Sequence, residues 1–223
     1  FNIDPSTGVV TFKASPNYES PADAGGNNVY DISVSASDGT NITTQAVAIT
    51  VTNVNEAPAF TSGATATVSE NVSTSTAVYT AVATDVDAGT TLTYSLSGTD
   101  AALFNIDSTT GAVTFKASPN YESPADAGGN NVYDISVSAS DGTLTTTQAV
   151  AITVTNVNEA PTFTSAATAS VAENISTSTA VYTAVATDVD AGTTLTYSLS
   201  GADAALFNID PSTGVVTFKA SPN

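Results

Sequence analysis

The segment FNIDPSTGVVTFKASPN occupies residues 1–17 and returns unchanged at residues 207–223. A close copy, FNIDSTTGAVTFKASPN, occupies residues 104–120, so the copies are spaced by 103 residues (104 − 1 and 207 − 104). When the chain is shifted by 103 residues against itself, 14 of the 120 overlapping positions differ. The chain is therefore a tandem array, and its unit has the length of one β-sandwich domain, about 100 residues.

Short strings rich in Asn and Pro mark the boundaries between units. TNVNEAP occurs at residues 52–58 and again at 155–161, and this composition is typical of a linker. We expect the C-terminal half of one unit, one complete unit and the N-terminal part of a third, at residues 1–57, 58–160 and 161–223. Such bounds are those of an excerpt from a longer array.

Apolar and polar residues alternate along the complete unit. In TLTYSLS (residues 91–97), Leu92, Tyr94 and Leu96 share one face, while Thr and Ser occupy the other. Strands are predicted near residues 60–69, 76–84, 91–97, 103–106, 112–116, 131–140 and 144–156. The sequence thus predicts an all-β fold, a seven-stranded antiparallel Greek-key β-sandwich of immunoglobulin-like type, repeated end to end through short linkers.

The composition excludes several classes of function. The chain has 3 Lys plus Arg and 21 Asp plus Glu, a formal net charge of −18, so it cannot build the basic patch that nucleic acids or anionic membranes require. No apolar run approaches the ~20 residues of a membrane span. Cys and His are absent, which excludes disulfides, zinc sites and thiol or histidine catalysis. We therefore do not expect an enzyme.

The acidic residues of the complete unit collect at strand ends and in loops. Lys116 is the only base of the unit. Since successive strands run in opposite directions, these acids separate into two poles: Asp85, Asp87 and Asp141 at one, and Glu70, Glu122 and Glu159 at the other. Asp188 and Asp190 of the next unit join the second group. Crowded carboxylates repel one another, and a hard cation such as Ca²⁺, which takes roughly 6–8 oxygen ligands, relieves that repulsion.

The remaining acids are interpreted differently. Asp107 and Asp210 each stand four residues before a Gly and are expected to shape turns. Three further acids are expected to be exposed charges: Asp100, Asp126 and Asp134.

Asp85-Val86-Asp87 has two other interpretations, an EF-hand loop and a loop that only promotes solubility. The string DVDAG begins like an EF-hand loop, but the twelfth position is Leu96, where a bidentate Glu is required. The pair would otherwise be a loop whose charge only promotes solubility.

In order along the chain, the motifs resemble those of the cadherin repeat. SEN (69–71) resembles its x-Glu-x motif, ATDVDAG (83–89) its Ala-x-Asp-x-Asp motif, NYE (120–122) its Asp-Arg-Glu motif, ASDG (139–142) its Ala-x-Asp-Gly motif and NVNEAPTF (156–163) its linker. The resemblance spans the whole chain. The NEAP linker and the lack of disulfides are closest to the cadherin-like repeats of large bacterial surface adhesins or extracellular fibre proteins.

This resemblance implies a Ca²⁺ site at each junction between units. The implied ligands of the first junction are Glu19, Asn53, Asn55, Glu56, Asp85, Asp87 and Asp141. Those of the second junction are Glu70, Glu122, Asn156, Asn158, Glu159, Asp188 and Asp190. Asn120, Asn156 and Glu159 stand where the family has Asp, which is expected to weaken the site, up to the loss of one of the ions that a junction can hold.

The function implied is a calcium-stiffened extracellular spacer at the cell surface, a rod of identical repeats that projects a distal binding region. Without metal, the acids of a junction are expected to drive neighbouring units apart into many orientations. One alternative is that the repeats themselves bind carbohydrate or pair homophilically with repeats on another cell. The other is a fibre subunit in which neighbouring chains complete each other's sandwich.

Overall fold

The computed structural model describes all residues from 1 to 223, and strands account for nearly all of its regular structure. Residues 1–57 contain β1 Asn2–Ile3, β2 Val10–Thr11, β3 Val29–Ser37 and β4 Ile42–Thr50. Residues 58–160 contain β5 Ala59–Phe60, β6 Thr65–Ser69, β7 Tyr79–Thr80, β8 Ala83–Thr84, β9 Thr93–Ser97, β10 Phe104–Ile106, β11 Ala112–Phe115, β12 Val132–Ser140 and β13 Thr145–Thr155. Residues 161–223 contain β14 Thr162–Phe163, β15 Tyr182–Thr183, β16 Ala186–Thr187, β17 Phe207–Ile209 and β18 Val215–Phe218.

The all-β prediction is confirmed. Two single-turn 3₁₀ helices, Ala101–Leu103 and Ala204–Leu206, are the only helical elements. None of the helices has the length and apolarity that a membrane span would need.

Residues 58–160 form two packed sheets, of order β6-β13-β12-β9 and β10-β11-β7, and a separate pair of strands, β5 with β8. All their pairs are antiparallel except β6 with β13, which run parallel. The expectation of antiparallel pairing throughout is wrong for this pair. β6 lies near the start of the unit and β13 near its end, so the long intervening chain can bring them side by side in the same direction.

Two predicted strands are each divided in two. The stretch 60–69 forms β5 and β6. The stretch 76–84 forms β7, which pairs with β11, and then β8, which pairs with β5. Between them, the backbone N–H of Ala81 still bonds to Gly111, but the carbonyl of Val82 already accepts from Thr61. The chain therefore changes sheets at this point, which the alternation of side chains does not reveal.

The flanking parts carry fewer strands than the complete unit. Residues 168–172 and 196–200, which correspond to β6 and β9, form no strand. In residues 58–160 these strands pair with β13 and β12, and residues 161–223 have no counterpart of either. Strand formation here therefore depends on the neighbouring strand as well as on local sequence.

The core lies between the two sheets of residues 58–160 and is centred on aromatic rings. Phe104 and Phe115 stack at 4.4 Å between ring centroids, and Tyr133 meets both edge-on. Val137 of β12 and Ile152 of β13 are fully buried beside them. This core stabilises the complete unit and fixes the positions at which its loops leave the sheets.

Two acids expected on the surface are instead buried. Asp100 and Asp126 are 4% and 6% exposed, so that expectation was wrong, whereas Asp134 is exposed as expected. Asp100 accepts hydrogen bonds from the backbone N–H groups of Ala127 and Asp134, and Asp126 accepts one from Asn131. These backbone donors stabilise the buried charges and hold the loop before β12 in place.

Asp107 and Asp210 are turn formers, as expected. Asp107 Oδ1 accepts bonds of 2.9 Å from the backbone N–H groups of Thr109 and Thr110. Asp210 makes the equivalent pair of bonds.

We predict that Gly111→Ala destabilises the complete unit far more than Gly129→Ala. Both glycines have positive φ, 71° and 60°, but a Cβ at Gly111 would overlap the backbone carbonyl oxygen of Ala81, whereas a Cβ at Gly129 meets open space. Strain at positive φ costs about 1–2 kcal/mol in either variant. The overlap adds about 1–3 kcal/mol at Gly111. Urea unfolding followed by tyrosine fluorescence measures both values, and equal losses would contradict the prediction.

Candidate metal centre

Glu70 stands at the end of β6 and is fixed by the backbone around it. Its Oε1 accepts a 2.8 Å bond from the N–H of Val157 and its Oε2 a 2.9 Å bond from the N–H of Tyr121. Its own N–H bonds to the carbonyl of Thr155 at the end of β13. Glu70 is only 3% exposed, so its carboxylate ties the long loop and the linker to the edge of the sheet.

Glu70, Glu122 and Glu159 form a carboxylate cluster that we call the glutamate triad. One carboxylate oxygen of each lies within 4.8 Å of one oxygen of the others. The three residues come from the end of a strand, a loop and a linker, so only the fold brings them together. The structure thus places these three predicted ligands in one small volume.

Two oxygens of the triad have no partner. Glu122 Oε2 and Glu159 Oε2 are buried and make no hydrogen bond, whereas Glu159 Oε1 accepts one of 3.2 Å from Asn71 Nδ2. Burial raises the pKa of Glu159 above its ordinary value of 4.5, and the nearby charges of Glu70, Glu122 and Asp190 raise it further. The triad therefore holds more negative charge than its surroundings neutralise.

Asp190 of the following part reaches the same linker. Its Oδ1 accepts a 2.8 Å bond from Asn156 Nδ2, and its Oδ2 a 2.9 Å bond from the N–H of Glu159. These two bonds, that of Asn156 first, hold its pKa below the ordinary value. Asp188 lies beside it and accepts a bond from the N–H of Asp190. Asn158 does not reach these groups and donates to the carbonyl of Glu159.

The first junction repeats this arrangement in a more open form. Glu19, Glu56 and Asp87 each offer one oxygen within 4.8 Å of the others. Asp87 accepts bonds from Asn53 Nδ2 and from the N–H of Glu56, at 2.6 and 3.0 Å. Burial first, then the charges of Glu19, Asp87 and Asp85, raise the pKa of Glu56.

Two further predicted residues meet at the first junction. Asn55 Nδ2 donates to Asp141 Oδ2 at 2.7 Å, and this bond is the largest cause of the lowered pKa of Asp141. Asp85 Oδ1 accepts from the N–H of Asp87, while its Oδ2 is buried without a partner. The linker therefore touches two separate loops of the complete unit.

The donor set suits a hard cation. Each cluster offers only oxygens, and the buried oxygens without a partner are Glu122 Oε2 and Glu159 Oε2 at the second junction and Asp85 Oδ2 at the first. Lys116, the base of the complete unit, instead donates to the carbonyl of Ala102. Carboxylates arranged in this way fit a divalent ion that prefers oxygen, such as Ca²⁺.

One contributor was not predicted. Asn71, with φ of 59°, directs its side-chain amide at Glu159, although only Glu70 of the string SEN had been assigned a role. An Asn directly after a strand-ending Glu is a signal for such a turn, because Asn tolerates positive φ.

Comparison with known proteins supports the resemblance. Residues 64–155 match the family model described as the Cadherin domain. Human protocadherin Fat 4 is 35% identical over 206 residues, which is 86% of this chain and 4% of that protein. Mouse protocadherin Fat 2 is 36% identical over 131 residues, 57% of this chain and 3% of that protein. The chain thus spans a very small part of these relatives.

Solved structures share the fold. Human CDH23 EC21-23 has a TM-score of 0.62 at 21% identity, covering 92% of this chain and 68% of that chain. Mouse cadherin-23 EC22-24 has a TM-score of 0.57 at 25% identity, covering 91% of this chain and 67% of that chain. The prediction of cadherin-like β-sandwiches is confirmed.

We predict that Glu159→Gln raises the melting temperature of the metal-free protein at pH 7. A carboxyl whose folded pKa is raised destabilises the fold at pH values above that pKa, and the penalty disappears once the pH falls below the ordinary value of 4.5. The gap between variant and wild type should therefore close towards pH 4. Melting curves by circular dichroism in chelator measure this gap, with Asp134→Asn, at an exposed position of β12, as the control. A variant that melts below wild type at pH 7 would contradict the prediction.

Proposed function

Because residues 64–155 form a cadherin-like domain, we propose that this chain is a calcium-binding structural array of an extracellular adhesive protein, in which the junctions stiffen a rod. The observation that carries the proposal is the glutamate triad, whose members come from three separate segments that meet at the boundary with the next unit. Cadherin domains generally bind Ca²⁺ between repeats. In this chain, Glu70, Glu122 and Glu159 would hold the ion at the second junction, and Glu19, Glu56 and Asp87 would hold it at the first.

The chemistry of the ion is charge neutralisation. Bound Ca²⁺ would replace the mutual repulsion of the carboxylates with shared ligation. The chain's own part is to hold the carboxylates in place beforehand, as the two backbone N–H groups do for Glu70. A site organised in this way loses little conformational freedom on binding.

The unit boundaries belong to the same proposal. We take residues 58–160 as the complete repeat and residues 1–57 and 161–223 as parts of its neighbours. In support, the thirteen-residue buried core cluster lies entirely within residues 58–160. No catalytic role is part of the proposal, since cadherin domains are structural adhesion modules.

The proposal extends to the location and source of the protein. The proposed function places the repeats outside the cell. A bacterial source, expected from the linker string and the lack of cysteine, remains a prediction that the human and mouse relatives do not support. Carbohydrate binding likewise stays an alternative.

We predict that Glu122→Gln weakens calcium binding at the second junction about tenfold or more, the equivalent of about 1.4 kcal/mol. Glu122 Oε2 has no hydrogen-bond partner, so the variant loses a charged ligand without breaking a contact within the protein. Calorimetric titration of the full chain with Ca²⁺ measures the change. Mg²⁺ serves as a poorly binding comparison because it requires tighter octahedral geometry. The matched control is Asp134→Asn, and equal effects would mean that the acids act only as a diffuse field.

Homophilic pairing of the repeats stays an alternative, since cadherin-family repeats engage homophilic partners. The interpretation as a fibre subunit stays a prediction.

A further inference from the structure

The linker asparagines bind the aspartate of the following unit directly. At the second junction, Asn156 Nδ2 lies 2.8 Å from Asp190 Oδ1, and the N–H of Glu159 lies 2.9 Å from Asp190 Oδ2. Both oxygens of Asp190 therefore accept a donor from the linker. Asp190 is only 8% exposed, so these bonds are shielded from water.

The same bonds recur at the first junction. Asn53 Nδ2 lies 2.6 Å from Asp87 Oδ1, and the N–H of Glu56 lies 3.0 Å from Asp87 Oδ2. We call this arrangement of Asn side chain, Glu backbone amide and Asp carboxylate the amide clamp. At the first junction, Asn55 adds a third bond from the linker, to Asp141 in the turn after β12.

The amide group is essential to this contact. A carboxylate at position 156 would face Asp190 with like charge and no proton to donate, so the pair would need a cation between them. An Asn brings its own donor, and a hydrogen bond to a charged acceptor is among the stronger ones in proteins.

At the second junction the two groups of carboxylates differ in their partners. In the glutamate triad, Glu122 Oε2 and Glu159 Oε2 are buried without a partner. In the amide clamp, both oxygens of Asp190 have protein donors. At the first junction, Asp87 belongs both to the clamp and to the carboxylate cluster, so its clamped carboxylate also lies beside Glu19 and Glu56.

We propose that the amide clamp joins neighbouring units without metal and takes the place of a second cation, so that each junction binds a single divalent ion at its glutamate-containing cluster. The single-ion part rests on the proposed function, whereas the metal-independent joint does not. The expectation that units separate freely without metal is replaced by a junction that stays ordered and that the ion stiffens further.

The experiment measures the order of the second junction with and without metal. The chain has no Cys, so Thr80→Cys and Thr183→Cys place spin labels only at two equivalent exposed strand positions, one in each unit. Pulsed electron resonance then gives the distribution of distances between the labels. We expect a narrow distribution in chelator, narrowing a little further in Ca²⁺.

The decisive variant is Asn156→Asp, which exchanges the amide donor for a charge. In chelator its distance distribution should broaden, and Ca²⁺ should narrow it again. Native mass spectrometry should show one additional Ca²⁺ bound to the variant, because the Asp pair now requires an ion. Asn105→Asp, at the exposed position of β10, adds the same charge away from the junction and should change neither measurement. Circular dichroism verifies that each variant is folded.

The outcomes separate the two ideas. If the distance distribution of wild type in chelator is as broad as that of Asn156→Asp, the clamp is overturned. The clamp is also overturned if Asn156→Asp leaves the distance distribution unchanged. If wild type binds two ions per junction, the single-ion part is overturned while the proposed function stands. If wild type binds no Ca²⁺ but has a narrow distance distribution, and Asn156→Asp broadens that distribution, the clamp is supported and the proposed function fails.

Discussion

Repulsion between carboxylates at the unit junctions is the constraint on which the rest of the arrangement depends. A chain with 21 acids and 3 bases cannot pair its charges internally, so the acids must either stay apart or find other partners. Those facing backbone or side-chain amides, such as Asp190 and Asp141, have lowered pKa values. Glu56 at the first junction and Glu159 at the second each face other carboxylates, and their pKa values are raised. The junctions are therefore the places where a cation gains the most by binding.

The core makes this crowding possible without unfolding the unit. Phe104, Phe115 and Tyr133 pack between the sheets, well inside the unit, and the strands around them set the direction of each loop. Glu70 connects the two regions, because its N–H continues the pairing of β6 with β13 while its carboxylate fixes the linker. The apolar core thus stabilises the unit, while the repelling carboxylates lie outside it at the edge of the sheet.

Sequence alone predicted what depends on side-chain pattern and missed what depends on backbone partners. The alternation around Leu92, Tyr94 and Leu96 identified a strand that the structure contains as β9. Burial of Asp100 was missed because its partners are the N–H groups of Ala127 and Asp134, which any residue could supply. The parallel pairing of β6 with β13 was missed for a similar reason, since register follows from the whole path of the chain. At the junction, the spacing of acids indicated that Glu70, Glu122 and Glu159 lie together, but not that Asn156 would donate to Asp190.

The near-identity of the repeats has a mechanical consequence. In an array in which each unit contacts only its neighbours, bending adds up along the chain, so the softest junction decides how far the rod can project. None of the 14 positions that differ between copies is one of the fourteen predicted junction ligands, so the carboxylates and asparagines that the two junctions share are unchanged. A joint that relied on the ion alone would let whole stretches become flexible whenever calcium fell. Under the proposal, the amide clamps at the two junctions would limit that loss, because the ion would then supply only part of the stiffness of each joint.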